Sequence, residues 1–207
     1  MSQNGSPERL VVFTDAVVAI AITLLILPLV EVVPDAVAQH LGPAELIGEN
    51  QWKIYSFLLS FAVIARLWVV HHRVFEQVKA YSRPLMMANF GWVLTIVVLP
   101  FPTEVAGLYG NDRFTSSLYI GTILVASLFQ LVMVLVIRRD PALRDEDSEL
   151  ARAPLFDTSV TTALLAVAFV VAALVPHAGY YMLLLLLLPA IVTRFRKAKS
   201  APAKVNA

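Results

Sequence analysis

An aspartate enters the first long apolar stretch of the chain, which reads Arg9-Leu-Val-Val-Phe13-Thr14-Asp15-Ala-Val-Val-Ala-Ile20-Ala-Ile-Thr23-Leu24-Leu-Ile-Leu27-Pro28. A carboxylate in hydrocarbon is costly, so Asp15 needs a partner or a task. Farther on, Arg66, Trp68, His71, His72 and Glu76 crowd one short stretch. Asp15 with His71 and His72 could pass protons, because imidazole titrates near neutrality. His72 and Glu76, four apart on one helix face, could touch a metal. The His-Glu-x-x-His spacing of zinc proteases is absent, however, and no third ligand is evident. With no cysteine there is no thiolate ligand, thiol nucleophile or disulfide. A Ser-His-Asp triad has no support beyond the residue types, and nothing else suggests an enzyme. The other chemistry is structural, with Thr14 and Asp15 tying helices together. Candidate partners are Arg9, Arg66, Trp68, His71, His72 and Trp92. Arg66, in mid-span, must pair or snorkel, and Asp15 is its natural candidate. The His71-His72 pair reads as an interfacial hold on the Thr14-Asp15 turn.

The elements that must carry these residues are membrane helices. The 207 residues are 58% hydrophobic and 15% charged, with a mean hydropathy of +0.74. A soluble domain carries about 25% charged residues. A net charge of +1 gives no electrostatic footprint for nucleic acid. The polar start Met-Ser-Gln-Asn-Gly-Ser-Pro-Glu lacks a basic n-region, so the first apolar run reads as a retained span. At about 20 apolar residues per span, six candidates appear, over roughly 9–30, 52–76, 84–104, 114–138, 156–175 and 178–195. Pro28 and Pro100-Phe101-Pro102 end or kink their helices. Asp157 or Thr158 can cap the fifth span, and Pro176-His177 makes a tight hairpin to the sixth. The segment 31–51, with Glu31, Pro34, Asp35, Gly42-Pro43, Glu45 and Glu49, reads as an outward-facing acidic loop. Trp52 and Tyr55 suggest an outer aromatic belt and Tyr81 an inner one.

Lys and Arg counts orient the spans. Of the 16 basic residues, thirteen fall in the N-terminus, the 73–83 and 138–155 loops and the tail. Only Lys53 and Arg113 fall on the other side, and Arg66 lies within a span. Both termini therefore face the cytoplasm, which calls for an even number of spans. The expected fold is all-α, with a six-helix transmembrane domain over 1–197 and a short cytoplasmic tail over 198–207.

The first span has two distinct faces. At about 100° per residue, Phe13, Ala16, Leu24, Leu27 and Glu31 fall within roughly 40° of Ile20, and Thr23 within about 60°. Asp15 lies about 140° away, with Ala19, Ile22 and Ile26. That back face must meet other helices, since lipid cannot solvate an acid. The front stripe has two readings. One is ordinary helix packing. The other is a symmetric ring in which Ile20, Leu24 and Leu27 stack as apolar constrictions that gate by dewetting.

Arg9, Phe13, Thr14 and Asp15, followed by the Ile/Leu/Thr-rich helix, resemble the Arg-x-x-x-Phe-Ser-Asp signature of the transmembrane protein 175 family of potassium channels. Thr14 stands where that family has Ser and keeps the hydroxyl. Trp68-Val-Val-His71-His72-Arg73-Val-Phe75 and Leu99-Pro100-Phe101-Pro102-Thr103 are similar to further family stretches. The resemblance covers roughly the first half of the chain. It implies a prokaryotic single six-span unit in the cell membrane, assembled as a homotetramer. The first span would line a pore for potassium and other monovalent cations, without a Thr-Val-Gly-Tyr-Gly filter. It places the hydrophobic constriction at Ile20, Leu24 and Leu27, and a selectivity hydroxyl at Thr23. The expected partners are the bilayer and further copies of the chain, with no cofactor and no bound metal. Glu31 could gather cations at the outer mouth. A competing reading is a proton-coupled secondary transporter with Asp15, His71 and His72 as relay; broken helices around a midplane site would support it. A membrane scaffold is a third reading.

Overall fold

The computed structural model describes residues 7–110, 112–144 and 153–175, where the regular elements are helices joined by short turns and one isolated β-bridge, Val78 to Arg144. The helices are α1 (Glu8–Leu24), α2 (Leu27–Ala38), α3 (Pro43–Glu49), α4 (Gln51–Phe75), α5 (Arg83–Val98), α6 (Pro100–Tyr109), α7 (Arg113–Arg139) and α8 (Ala153–Leu174). A 3-10 turn, Pro141–Leu143, follows α7. Four stretches are long and apolar enough to cross a membrane: Glu8–Ala38, Gln51–Phe75, Arg83–Tyr109 and Arg113–Arg139. Thr158–Leu174 is a shorter apolar helix. The expected sixth span, the Pro176-His177 hairpin and the tail lie outside the described residues.

Prolines set the breaks. Pro28 has no N–H for the Leu24 carbonyl, and the ladder there tightens to three-residue bonds: Leu25 N–H to Ile22 O (3.4 Å) and Ile26 N–H to Thr23 O (3.5 Å). Pro100 likewise deprives the Ile96 carbonyl, which takes the Leu99 N–H instead (3.3 Å). α7 starts cleanly because the Asp112 carboxylate accepts from the N–H groups of Phe114 (2.9 Å) and Thr115 (3.2 Å). It closes on Arg138 and Arg139, whose charge suits a helix C-terminus.

Two expectations need correction. Segment 31–51 is not a loop, since it holds most of α2 and all of α3. Pro34 sits inside α2; the carbonyl it leaves unpaired belongs to exposed Val30, where it costs little. Pro43 stands at the first turn of α3, where a missing N–H does no harm, and Glu45 Oε2 accepts from Gly42 N–H at 2.8 Å. Nor do Asp157 and Thr158 cap the fifth span, because α8 already begins at Ala153. The proline at 154 suits a first helical turn, and Thr158 is buried in the helix interior.

α7 is the central post, packed mainly on α5 and α8. Leu85, Trp92, Ile96 and Leu99 pack with Ile120, Ile123, Ala126 and Met133 in the core. Gly91 lets α5 approach α7, since a Cβ there would overlap the Phe129 ring. Buried polar pairs lock helices together where lipid offers no hydrophobic drive. Ser60 Oγ lies 2.7 Å from Thr103 Oγ1 and 2.8 Å from the Tyr119 hydroxyl. Gln130 Nε2 donates to Leu67 O at 2.6 Å, and Ser127 Oγ meets Thr162 Oγ1 at 2.7 Å. The loop after α4 is tied to the turn after α7 by Lys79 N–H to Leu143 O (2.9 Å). α4, α5, α6, α7 and α8 thus form one packed unit, and α1 lies along its flank against α4 and α5.

Candidate functional site

α1 divides sharply by face. Leu10, Thr14, Val18 and Ala21 are buried in the unit, as is Leu25 at its end. On the other side Ile20 is 60% exposed, Leu24 41% and Leu27 46%. Phe13, Thr23 and Glu31 are exposed as well. Nothing in the described chain covers this apolar stripe. Thr23 Oγ1 donates to the Ile20 carbonyl at 2.8 Å, so its proton is engaged while its oxygen keeps lone pairs outward. Phe13 meets Phe90 of α5 edge to face, centroids 5.9 Å apart.

Two polar chains hold the back of α1. In the first, Trp68 Nε1–H of α4 donates to Asp15 Oδ1 at 2.7 Å. His72 stacks on the Trp68 ring at 5.3 Å, and its Nε2 lies 3.5 Å from Glu76 Oε1. In the second, Asn89 of α5 bridges α4 and α1. Asn89 Nδ2 donates to Thr14 Oγ1 at 2.8 Å, and Asn89 Oδ1 lies 2.6 Å from His71 Nε2. Thr14 Oγ1 in turn donates to Leu10 O at 2.8 Å. Because the Asn89 oxygen can only accept, His71 carries its proton on Nε2. Its ring lies between Trp92 (4.3 Å) and Phe75 (4.5 Å). Thr14, His71 and Asn89 are fully buried.

Each residue singled out in the sequence now has a place. Asp15 is half-buried on the indole of Trp68. Arg66 is half-buried on the same helix as Trp68 and has an interaction of its own. Trp92 serves His71 as a stacking surface. Arg9 is exposed in the first turn of α1. Among the described residues no third ligand joins His72 and Glu76 to make a metal site. Asn89 carries only a weak sequence signal, a lone amide within an apolar run, which the span pattern passes over. The arrangement positions a helix: an indole N–H holds Asp15 and a carboxamide holds His71, and neither group titrates at ordinary pH.

Residues 9–100 match the family model described as endosomal/lysosomal potassium channel TMEM175. A potassium channel of Streptomyces collinus is 36% identical over 138 residues, which is 65% of this chain and 59% of that protein. A potassium channel of Chamaesiphon minutus is 32% identical over 130 residues, 61% of this chain and 63% of that protein. The chain therefore spans about three-fifths of the length of these relatives. The zebrafish (Danio rerio) endosomal/lysosomal proton channel TMEM175 is 25% identical over 136 residues, 65% of this chain and 25% of that protein. In fold, the chain is similar to the crystal structure of a lysosomal potassium-selective channel TMEM175 homolog from Chamaesiphon minutus. The TM-score is 0.73 at 24% identity, covering 90% of this chain and 97% of that one.

Proposed function

We propose that the chain is a member of the TMEM175 family, as the match over residues 9–100 and the two potassium-channel relatives support, and that it forms a potassium-preferring cation leak channel of a prokaryotic cell membrane. The channel is a homotetramer of six-span subunits with both termini in the cytoplasm. Residues 1–197 make the channel domain and 198–207 a tail. α1 of each subunit lines the pore, and Ile20, Leu24 and Leu27 form stacked apolar rings that close it by dewetting. The observation that carries this reading is the uncovered stripe of α1 opposite a face held by two polar chains. A helix so firmly set on one side has its other side aimed at something.

Apolar rings offer potassium no oxygen ligands. Discrimination then rests on ease of dehydration, which favours potassium over sodium, helped by the outward lone pairs of Thr23. Preference over sodium is therefore modest. Glu31, exposed beyond the stripe, gathers cations at the outer mouth. The channel is not an enzyme, and potassium is its cargo. The competing transporter loses support because Asp15 and His71 stand in separate chains, each joined through a group that does not readily exchange protons.

The test is purified protein in liposomes under a potassium gradient. Flux is expected, and Ile20→Asn and Leu27→Ala should raise it by wetting or widening the constriction. Absence of flux, or indifference to both changes, removes the pore assignment.

A further inference from the structure

α5 and α7 stand side by side and antiparallel. The chain just before α5 is tied to the turn just after α7 by Lys79 N–H to Leu143 O. Arg83, which opens α5, and Arg139, which closes α7, therefore lie at the same end of the pair. The contact between Gly91 and the Phe129 ring fixes how the two helices face each other, since a Cβ on Gly91 would point into that ring. At about 100° per residue, Met87 and Leu94 fall roughly 40–60° to one side of Gly91, and Arg83 and Phe90 roughly 80–100° to that side. On α7, Val125 and Val132 fall roughly 40–60° from Phe129, and Leu128 and Arg139 roughly 80–100°. In an antiparallel pair these offsets turn the same way. The two helices thus share one groove, with Gly91 and Phe129 at its floor. Its apolar walls, Met87, Phe90 and Leu94 against Val125, Leu128 and Val132, are all exposed.

The groove ends in charge. Arg83 lies eight residues from Gly91, and Arg139 ten from Phe129, which is about 12 and 15 Å along the axes. Both arginines therefore stand at nearly one level, beyond the apolar walls, and both are exposed. Among the described residues neither side chain has an ion pair or a hydrogen-bond partner. The described acids nearest them in sequence are engaged elsewhere, Glu76 with His72 and Asp140 with the Ala142 N–H at 3.1 Å. An uncovered apolar groove on a membrane span suits an acyl chain. Two uncompensated guanidinium groups at its mouth select the headgroup, because Arg matches phosphate geometry with paired donors. Each such cation near the membrane surface favours an anionic lipid by about fivefold.

We propose that the α5–α7 groove is a binding site for one anionic phospholipid. Its acyl chain runs along Met87, Leu94, Val125 and Val132, and its phosphate is held between Arg83 and Arg139. In the topology proposed above, this lipid belongs to the inner leaflet. The site requires only that α5 and α7 cross a bilayer, and it is independent of conduction and of which helix lines a pore.

The chain has no cysteine, so Leu128→Cys carries a single fluorophore on the rim of the groove without filling it. The labelled protein is reconstituted in phosphatidylcholine containing a rising fraction of acyl-brominated phosphatidylglycerol, or of acyl-brominated phosphatidylcholine. The brominated phosphatidylglycerol is expected to quench at a several-fold lower mole fraction. Arg83→Gln with Arg139→Gln should erase that preference. Arg73→Gln with Arg138→Gln removes the same charge from two other exposed arginines of the α4 and α7 ends and should leave it intact. Equal quenching by the two lipids with all arginines present overturns the site, and that comparison needs no arginine variant to fold. A preference that survives Arg83→Gln with Arg139→Gln, or one that both double substitutions erase, belongs to another surface or to a diffuse positive rim and overturns it as well. Absence of quenching by either lipid shows protein over the groove, a second copy included, and removes the lipid. Potassium flux is not read, so failure of the channel reading leaves each of these outcomes unchanged.

Discussion

Asn89 Nδ2 donates to Thr14 Oγ1 at 2.8 Å while the Asn89 oxygen meets His71 Nε2 at 2.6 Å, so one carboxamide joins α1, α4 and α5. Both ends of the amide are used and the group is fully buried. Asn89→Leu leaves the Thr14 hydroxyl without its donor and the His71 N–H without its acceptor. Each orphaned group costs about 1–3 kcal/mol in a buried site, while membrane hydrogen bonds average nearer 0.6 kcal/mol. A loss of about 1–2 kcal/mol is expected, seen as a lower thermal midpoint in detergent. An unchanged midpoint would show that the bridge contributes nothing.

Trp68→Phe keeps a ring under His72 and removes the N–H that Asp15 accepts. The half-buried carboxylate is then short of a donor, so lower stability is expected. Asp15→Asn keeps an acceptor for the indole and should preserve flux under a potassium gradient. Abolition of transport by Asp15→Asn, together with dependence on a pH gradient, would revive the proton-coupled transporter.

Gly91→Ala drives a methyl into the Phe129 ring between α5 and α7. Overpacking of this kind costs about 1–3 kcal/mol. Phe129→Ala in the same chain should restore part of the loss. If the double variant is no more stable than Gly91→Ala alone, contact with that ring is not the reason for the glycine.

Glu31→Gln should lower potassium flux at low ionic strength and leave it unchanged at high salt, because exposed charges act through a screened field. Equal flux at both ionic strengths removes Glu31 from the outer mouth.

Local chemistry foretold much of this. The 3.6-residue period separated Asp15 from Ile20, Leu24 and Leu27, and the structure finds those residues half-buried and exposed respectively. Pro100 ended α5 as its missing N–H requires. What local chemistry could not foretell was of two kinds. Asn89, Gln130 and the Ser60–Thr103–Tyr119 group act across helices far apart in the chain, and no spacing rule encodes such pairings. Pro34 and Gly42-Pro43 carry turn chemistry that helices also tolerate, at an exposed carbonyl or in a first turn. The local signal in α2 and α3 is therefore ambiguous between loop and helix.

The polar grip on α1 lies at Thr14 and Asp15, toward one end of a long rod. Leu27 sits thirteen residues on, about 20 Å along the axis. The helix is therefore a lever with its fulcrum near its N-terminal end. A pivot of about 5° at Thr14 sweeps Leu27 sideways by roughly 1.7 Å, on the scale of one methyl group. In the proposed pore, the aperture at the outer ring is thus a magnified readout of angle at the inner end. A fault in the fulcrum would be felt most where no residue of the fulcrum reaches.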